Sequence, residues 1–492
     1  MVGFRENRML DEHIWYPTEK VFINGDWQES NSGKYIEILN PSNGEAIAQI
    51  AQGDSKDVDD AVSAADRAIK GPWGQLTAVD RGRLLLNLSS LIKTRLDDLA
   101  YIESIDVGKP LSQSRNDAIA LARYFEFYGG AADKITGETI PYLNGYTVYT
   151  LREPYGVTGH IVPWNYPMQI IGRTLGAALA MGNACILKPS EEACLTALAI
   201  GDLAIQAGFP KGSINIVPGY GSESGLSLTQ HPEVRHLSFT GSVEVGKIIQ
   251  TEAAKNLVPV TLELGGKSPQ IVFDDANLDQ AMSFLVNAGI QNAGQTCSAS
   301  SRILVSKKMY PELMERMMGV YKNLRVGQAL DDLELGPVIS KRQKTIIENY
   351  LKFSSDLECI STGRLEDDLP QKGNYVVPQL FGNVSTSHKL AQEEIFGPIQ
   401  VLIPFEDEEE AICIANGTKY GLVASVWTKD GARQMRVAKA IKSGQVFINN
   451  YGAGGGVELP FGGIGHSGHG REKGFEALYS FSTLKTVAAF HG

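Results

Sequence analysis

Residues 156–167 read Gly-Val-Thr-Gly-His-Ile-Val-Pro-Trp-Asn-Tyr-Pro. Gly156–Val162 is an apolar, β-prone run, and Pro163 ends it. The same strand–turn–helix unit recurs downstream. Ala184–Leu187 leads to Lys188, Ile214–Val217 to Pro218-Gly219, and Val234–Phe239 to Thr240-Gly241; Pro259–Leu264 is the fifth such run. Strands separated by helices over about 100 residues are what a Rossmann-type, dinucleotide-binding parallel sheet needs.

A second α/β block begins at Gly266. Its expected strands include Ser268–Phe273, Ser301–Val305, Ile399–Pro404, Ala424–Trp427 and Gln445–Ile448. Before the first block, residues 55–70, 78–105 and 113–134 have helical apolar spacing, for example Leu84, Leu85, Leu88 and Leu91. Glu138–Arg152 and Leu478–Phe490 fit neither block; both are β-prone and alternate in polarity. Left alone they would be exposed hydrophobic strands that invite aggregation. Pairing with each other and with another subunit removes that liability. The expected architecture is α/β: a Rossmann-type domain (1–134 and 153–263), a second α/β domain (264–475) and a small β arm (135–152 and 476–492), assembled as a homodimer or homotetramer.

Composition narrows the class. With 492 residues, 43% hydrophobic and 21% charged, the chain reads as an ordinary globular protein large enough for several subdomains. A net charge of −11 argues against nucleic-acid binding, which needs a basic face. No apolar window is long enough for a membrane span, and Met1–Lys20 has no apolar signal-like core. Five scattered cysteines (185, 194, 297, 359 and 413) predict free thiols in a reducing, cytoplasmic setting. No Cys-x-x-Cys or His-x-x-x-His pair suggests a metal site.

Two residues carry the chemistry. Cys297 lies in Asn-Ala-Gly-Gln-Thr-Cys-Ser, on small, polar, turn-prone backbone suited to an accessible nucleophile. Glu263, in Leu-Glu-Leu-Gly-Gly, sits between apolar residues, where a carboxylate pKa rises towards that of a general base. Either residue alone reads more readily as an inert loop cysteine or a strand-end glutamate. Gly241-Ser-Val-Glu-Val-Gly246 after an apolar strand is a candidate phosphate-binding turn, since small residues let backbone N–H groups approach a pyrophosphate. Lys188 and Glu191 follow a strand end, where a carboxylate can accept both ribose hydroxyls and repel a 2′-phosphate.

Glu263 and Cys297 stand in register with Pro-Trp-Asn-Tyr-Pro (163–167), Leu-Lys-Pro-Ser-Glu (187–191), Phe-Thr-Gly-Ser-Val-Glu-Val-Gly (239–246), Glu-Glu-Ile-Phe-Gly-Pro (393–398) and Leu-Pro-Phe-Gly-Gly (459–463). In order and spacing this set resembles the NAD(P)-dependent aldehyde dehydrogenase superfamily of the hydrolytic type, over about residues 20–490. The resemblance implies an aldehyde substrate and NAD as cofactor. It implies nucleophilic attack by Cys297, an oxyanion held by the Asn165 amide and the Cys297 N–H, a thioester, and hydrolysis through Glu263, with Glu472 relaying protons. For the cofactor it implies Ile161, Pro163 and Trp164 on the first strand and loop, then Lys188, Ser190 and Glu191. Gly221, Phe239, Gly241, Ser242, Val245 and Leu264 complete the adenosine and pyrophosphate side, and Glu394 and Phe396 hold the nicotinamide ribose. For substrate it implies Tyr166, Gln169, Ile170, Arg173, Thr296, Ser298 and Phe461.

One departure stands out. Many relatives carry a lysine after the Trp-Asn loop that supports the proton relay; this chain has Arg173-Thr174, and Thr174 cannot replace a cation. The loop Tyr451-Gly-Ala-Gly-Gly-Gly-Val457 lacks bulky side chains, which predicts a roomy entrance for a medium-chain aliphatic or aromatic aldehyde. Arg173 offers an alternative, a semialdehyde bound through its carboxylate, unless Asp117 pairs with Arg173. Acyl transfer to coenzyme A or phosphate, and a non-catalytic structural role, are the remaining readings; Glu263 counts against the first and the complete residue set against the second.

Overall fold

The five apolar runs around 156–264 are all strands of one sheet in the computed structural model, which describes residues 12–452 and 456–492. Their order is Ile214–Ile216, Ala184–Lys188, Val157–Ile161, His236–Thr240, Val260–Glu263, all parallel. The hairpin Val21–Ile23/Asp26–Gln28 extends one edge, and the two-residue strand Gly468–His469 closes the other. Gly468–His469 lies inside the range expected for the second domain. It pairs instead with Leu262 and Glu263 of the first sheet.

Chain order reverses between Val157–Ile161 and His236–Thr240. The earlier strand is followed outward by 184–188 and 214–216 on one side, and by 236–240 and 260–263 on the other. Parallel sheets open a ligand crevice beyond the carboxyl ends of the strands at such a reversal.

A seven-stranded second sheet contains every strand expected for that block, and adds Glu358–Thr362 and Gln379–Gly382 at one edge. The two sheets have separate cores, one formed by residues from Tyr16 to Leu264 with Ala477, Leu478 and Phe481, the other by residues from Ile271 to Ile441. The third sheet is the arm. Tyr146–Pro154 pairs antiparallel along its full length with Ser482–Phe490, and Thr139–Ile140 adds a short third strand.

Two expectations need correction. The helix expected over 78–105 is two helices, Ala78–Thr94 and Leu96–Val107, broken at Arg95. Arg95 leaves helical geometry with its guanidinium 4.6 Å from the Trp15 ring and bonded to Asp98 at 3.0 Å, so tertiary contacts override a continuous apolar stripe. Leu478–Ser480 is not strand but the end of helix Gly474–Ser480, because Ala477 and Leu478 are drawn into the first core.

Arg302 ties the second sheet to the segment after Glu263. Fully buried, it donates to the carbonyls of Lys267, Ile414 and Ala415, each at 3.0 Å. Hydrogen bonds from a charged donor contribute about 1.5–3 kcal/mol each, and orphaned carbonyls add a desolvation penalty. Arg302→Met is expected to lower unfolding free energy by about 3 kcal/mol or more; a urea midpoint unchanged from the native protein would contradict this.

Candidate active site

A cleft of about 2060 Å³ opens at the strand reversal. Ile161, Lys188, Thr240 and Glu263 line it at the strand ends, and Asn165, Cys297, Glu394 and Phe461 line it deeper between the two sheets.

One half of the cleft fits a dinucleotide. Helix Val243–Lys255 begins at Ser242, whose hydroxyl accepts the Val245 N–H at 3.3 Å, and its first turn faces the cleft. Free N–H groups and the helix dipole favour an anion there. Lys188, buried at the end of its strand, donates to Glu191 Oε2 at 3.1 Å. Burial lowers the Lys188 pKa, and Glu191 opposes that shift. Further in, Glu394 accepts the Gly266 N–H at 3.0 Å, and burial pushes its carboxyl up to about 7. Phe396 adopts φ 56°, is held by Gln343 Nε2 donating to its carbonyl at 2.9 Å, and meets Trp164 edge-on at 5.4 Å.

Gly265 and Gly266 explain the glycine pair after Glu263-Leu264. A Cβ on Gly265 would lie 2.0 Å from Glu394 Oε2, and one on Gly266 would lie 2.3 Å from the Cys297 carbonyl oxygen. At Gly266 the obstacle is backbone, so no side chain fits; at Gly265 a side chain would have to displace the Glu394 carboxylate.

The nucleophile loop is strained and locked. Asn292, Ala293 and Gly294 take φ of 49°, 52° and 74°, three successive left-handed residues. Amides hold them. Asn292 N donates to Gln113 Oε1 (2.9 Å), Asn292 Nδ2 to the Asn165 carbonyl (2.9 Å), and Ile339 N to Gln295 Oε1 (2.9 Å). Asn165 Nδ2 donates to the Gln295 carbonyl at 3.0 Å, leaving its second N–H for the cleft. Cys297 packs against a cluster that includes Leu422, Val423, Tyr451 and Phe461. The open loop expected from its small neighbours is therefore a half-buried one. Burial pushes the Cys297 thiol up to about 12; Arg173 pulls it down, while Glu394 and Glu263 push it higher.

Glu263 is buried, and neither carboxylate oxygen has a hydrogen-bond partner among the described residues. Burial holds its pKa well above the carboxylate range, Glu472 raises it further, and Arg173, Arg471 and Lys473 oppose. A buried carboxylate with no hydrogen-bond partner among the described residues, in the same cleft as a half-buried thiol, has the surroundings that raise a carboxylate towards the range of a base.

The comparisons with known proteins agree with this geometry. The family model described as "Aldehyde dehydrogenase family" matches residues 27–487. The chain belongs to the aldehyde dehydrogenase family. It is 42% identical over 476 residues to aldehyde dehydrogenase family 2 member B4, mitochondrial, of Arabidopsis thaliana, covering 95% of this chain and 87% of that one. A putative aldehyde dehydrogenase from Burkholderia cenocepacia superposes with TM-score 0.95 at 56% identity, over 96% of this chain and 100% of that one. The NAD+ complex of aldehyde dehydrogenase from Bacillus cereus superposes with TM-score 0.95 at 36% identity, over 99% of each chain.

Most of the site residues expected of an aldehyde dehydrogenase do line the cleft. These include Pro163, Ser190, Gly221, Phe239, Gly241 and Val245 on the cofactor side, and Tyr166, Gln169, Ile170, Arg173, Thr296 and Ser298 on the substrate side. Two do not. Leu264 turns into the core, where it packs against Gly246. Glu472 lies behind the cleft wall, accepting Ser238 Oγ at 2.7 Å and paired with Arg173. Asp117 does not neutralise Arg173 either; it pairs with Lys109 and accepts Gln169 Nε2 at 2.5 Å. Of the late entrance loop, residues 453–455 lie outside the described residues. Sequence reasoning missed Gln113, Asn292, Gln295 and Gln343, which position the nucleophile loop and Phe396. Asn292, two residues before Gly294, was the one available signal, since asparagine tolerates left-handed backbone.

A thiol at about 12 reacts slowly at neutral pH. Alkylation of Cys297 by iodoacetamide, followed by peptide mass spectrometry, is expected to keep accelerating up to at least pH 10. A plateau near pH 8 would mean the thiolate forms without help.

Proposed function

We propose that this protein oxidises a neutral aldehyde to its carboxylic acid with NAD and water, through a thioester on Cys297. The observation that carries the hydrolytic step is Glu263, buried in the same cleft as Cys297 with no hydrogen-bond partner among the described residues. NAD supplies the hydride acceptor. Its adenosine ribose would sit on Glu191, its pyrophosphate at the Ser242 helix start and its nicotinamide ribose on Glu394.

The Cys297 proton passes to a base as the sulfur attacks the carbonyl carbon. The new oxyanion lies between the Cys297 N–H and the Asn165 amide, donors worth about 3–4 kcal/mol each. Loss of hydride leaves a neutral thioester. Glu263 then takes a proton from water, hydroxide adds to the thioester, and the C–S bond breaks to release the acid and regenerate the thiol.

The preferred substrate is a medium-chain aliphatic or aromatic aldehyde. Arg173 supports a neutral substrate because it is already paired with Glu472. Glu191 supports NAD over NADP. The domain boundaries are 1–134 with 153–263, 264–475, and the arm; the two separate cores support the division near residue 264, while Gly468–His469 joins the first sheet and Ala477, Leu478 and Phe481 the first core.

The assembly is a homodimer or homotetramer built on the arm. Tyr142, Leu143, Leu484 and Phe490 are exposed there, and Ser482–Phe490 is an edge strand. The compartment is the cytoplasm, in keeping with cysteines that form no disulfide. No helix among the described residues is long and apolar enough to cross a membrane.

NADH formation with a panel of aliphatic, aromatic and carboxylated aldehydes tests the reaction. Native protein is expected to turn over, Cys297→Ala to lose all NADH formation, and Glu263→Gln to retain one burst per site while steady turnover drops about 10²–10⁴-fold. A steady rate restored to Glu263→Gln by coenzyme A would point to acyl transfer instead. Preference for acetaldehyde over octanal and benzaldehyde would sink the substrate reading. Leu484→Lys in the edge strand is expected to reduce the sedimentation mass to that of a monomer; an unchanged oligomer would remove the arm from the interface.

A further inference from the structure

Thr174 stands where many relatives carry the lysine that supports the base, and it is occupied elsewhere. Its hydroxyl is bonded to His160 Nδ1 at 2.7 Å, in the core between helix Pro167–Ala180 and strand Val157–Ile161. The residue before it faces the base. Arg173 is only 7% exposed and joins three elements around Glu263. Its Nε pairs with Glu472 Oε2. Its Nη2 donates to Thr240 Oγ1 at 3.3 Å, and Thr240 is in register beside Glu263 on the neighbouring strand. The guanidinium carbon lies 5.2 Å from the Phe461 ring centre, and Phe461 exchanges backbone hydrogen bonds of 2.7 and 2.8 Å with Glu472.

Glu472 is wholly buried, with Ser238 Oγ on its other oxygen. A buried carboxylate needs a cation or a proton. Thr240, Phe461 and Glu472 together leave the guanidinium little freedom, so it acts as a fixed charge rather than a mobile one.

We infer that Arg173 is the positioning residue of the hydrolytic half-reaction: it fixes Glu472 and keeps Glu263 ionisable, in place of a lysine at position 174. This inference deepens the proposed reaction and rests on it. The charged and titratable groups facing Glu263 are Glu472, Arg471 and Lys473 on the C-terminal segment, Arg173 on its helix and Cys297 on its loop. Tyr124 and Tyr128 face Arg173 and Glu472 from helix Leu111–Ala131. Burial works against the charge of Arg173, yet the two glutamates hold its pKa above the ordinary range. Without Arg173 two carboxylates confront each other, and Glu263 holds its proton to higher pH.

The test measures burst and steady-state NADH formation against pH for the native protein, R173M, R173K, E472Q and R173M/E472Q, with NAD affinity and Tm recorded for each. R173M is expected to keep its burst amplitude, to lose about tenfold to a hundredfold in kcat, and to move the acidic limb of the kcat profile to higher pH. R173K should keep the limb near its native position. E472Q should move it to lower pH, and the double variant should return it most of the way. An acidic limb unmoved in R173M overturns the inference, as does a KM rise confined to carboxylated aldehydes, which would make Arg173 a substrate reader. If R173M fails to fold, the limb of E472Q decides alone. Iodoacetamide labelling of Cys297 supplies a readout without turnover: R173M should slow it at least threefold at pH 8, and an equal rate overturns the inference. A native protein that oxidises no aldehyde would instead defeat the proposed reaction, and the labelling result would still judge Arg173.

Discussion

The close approach at Gly265-Gly266 is the constraint on which the site depends. Glu263 belongs to the last long strand of the first sheet, and Cys297 to a loop just before a strand of the second. The two sheets have separate cores, so nothing in either alone sets the distance between base and nucleophile. The glycine pair does, because the Glu394 carboxylate presses on one residue and the Cys297 carbonyl on the next. Arg302 secures the following residue, Lys267, by its carbonyl. A methyl group at Gly266 would push the Cys297 carbonyl away, and one at Gly265 would displace the Glu394 carboxylate.

Strain in the nucleophile loop belongs to the same arrangement. Three left-handed residues in succession cost free energy, of order 1–3 kcal/mol for each non-glycine residue held there. An amide network offsets the cost: Gln113 from the long helix, Asn165 from the first loop and Gln295 within the loop itself. The strain turns the chain sharply, so that the Cys297 carbonyl meets Gly266 while Asn165 stands beside the loop as a donor.

Much of this could be read from residues alone, and the limits have physical causes. Five parallel strands of each sheet were legible because buried parallel strands are continuous apolar runs, and the helix Ser55–Lys70 because its apolar spacing is regular; the further strands added at the sheet edges were not. The break at Arg95 was not, since it depends on Trp15, eighty residues away in sequence. Likewise, Gly468–His469 is too short to carry a pattern and exists only as an edge to Leu262 and Glu263. Motifs in register single out Cys297, Glu263 and Asn165, and the fold brings all three to one cleft. The partner of Arg173 was misassigned to Asp117 because proximity on neighbouring helices was the only guide. The true partner comes from three hundred residues downstream.

Burial raises the pKa of both Cys297 and Glu263, which at first sight disfavours a mechanism needing each ionised. The order of events resolves the conflict. Each negative charge opposes the other, and Arg173 attracts both, so the cleft favours one charge at a time. The thiolate is needed first. Once its sulfur is part of a neutral thioester, its opposition to Glu263 is gone while Arg173, Arg471 and Lys473 remain. Glu263 then ionises more readily at the step where water must lose a proton. Burial and Glu472 hold back ionisation of Glu263 at every stage, and Arg173, Arg471 and Lys473 are the charges that oppose them.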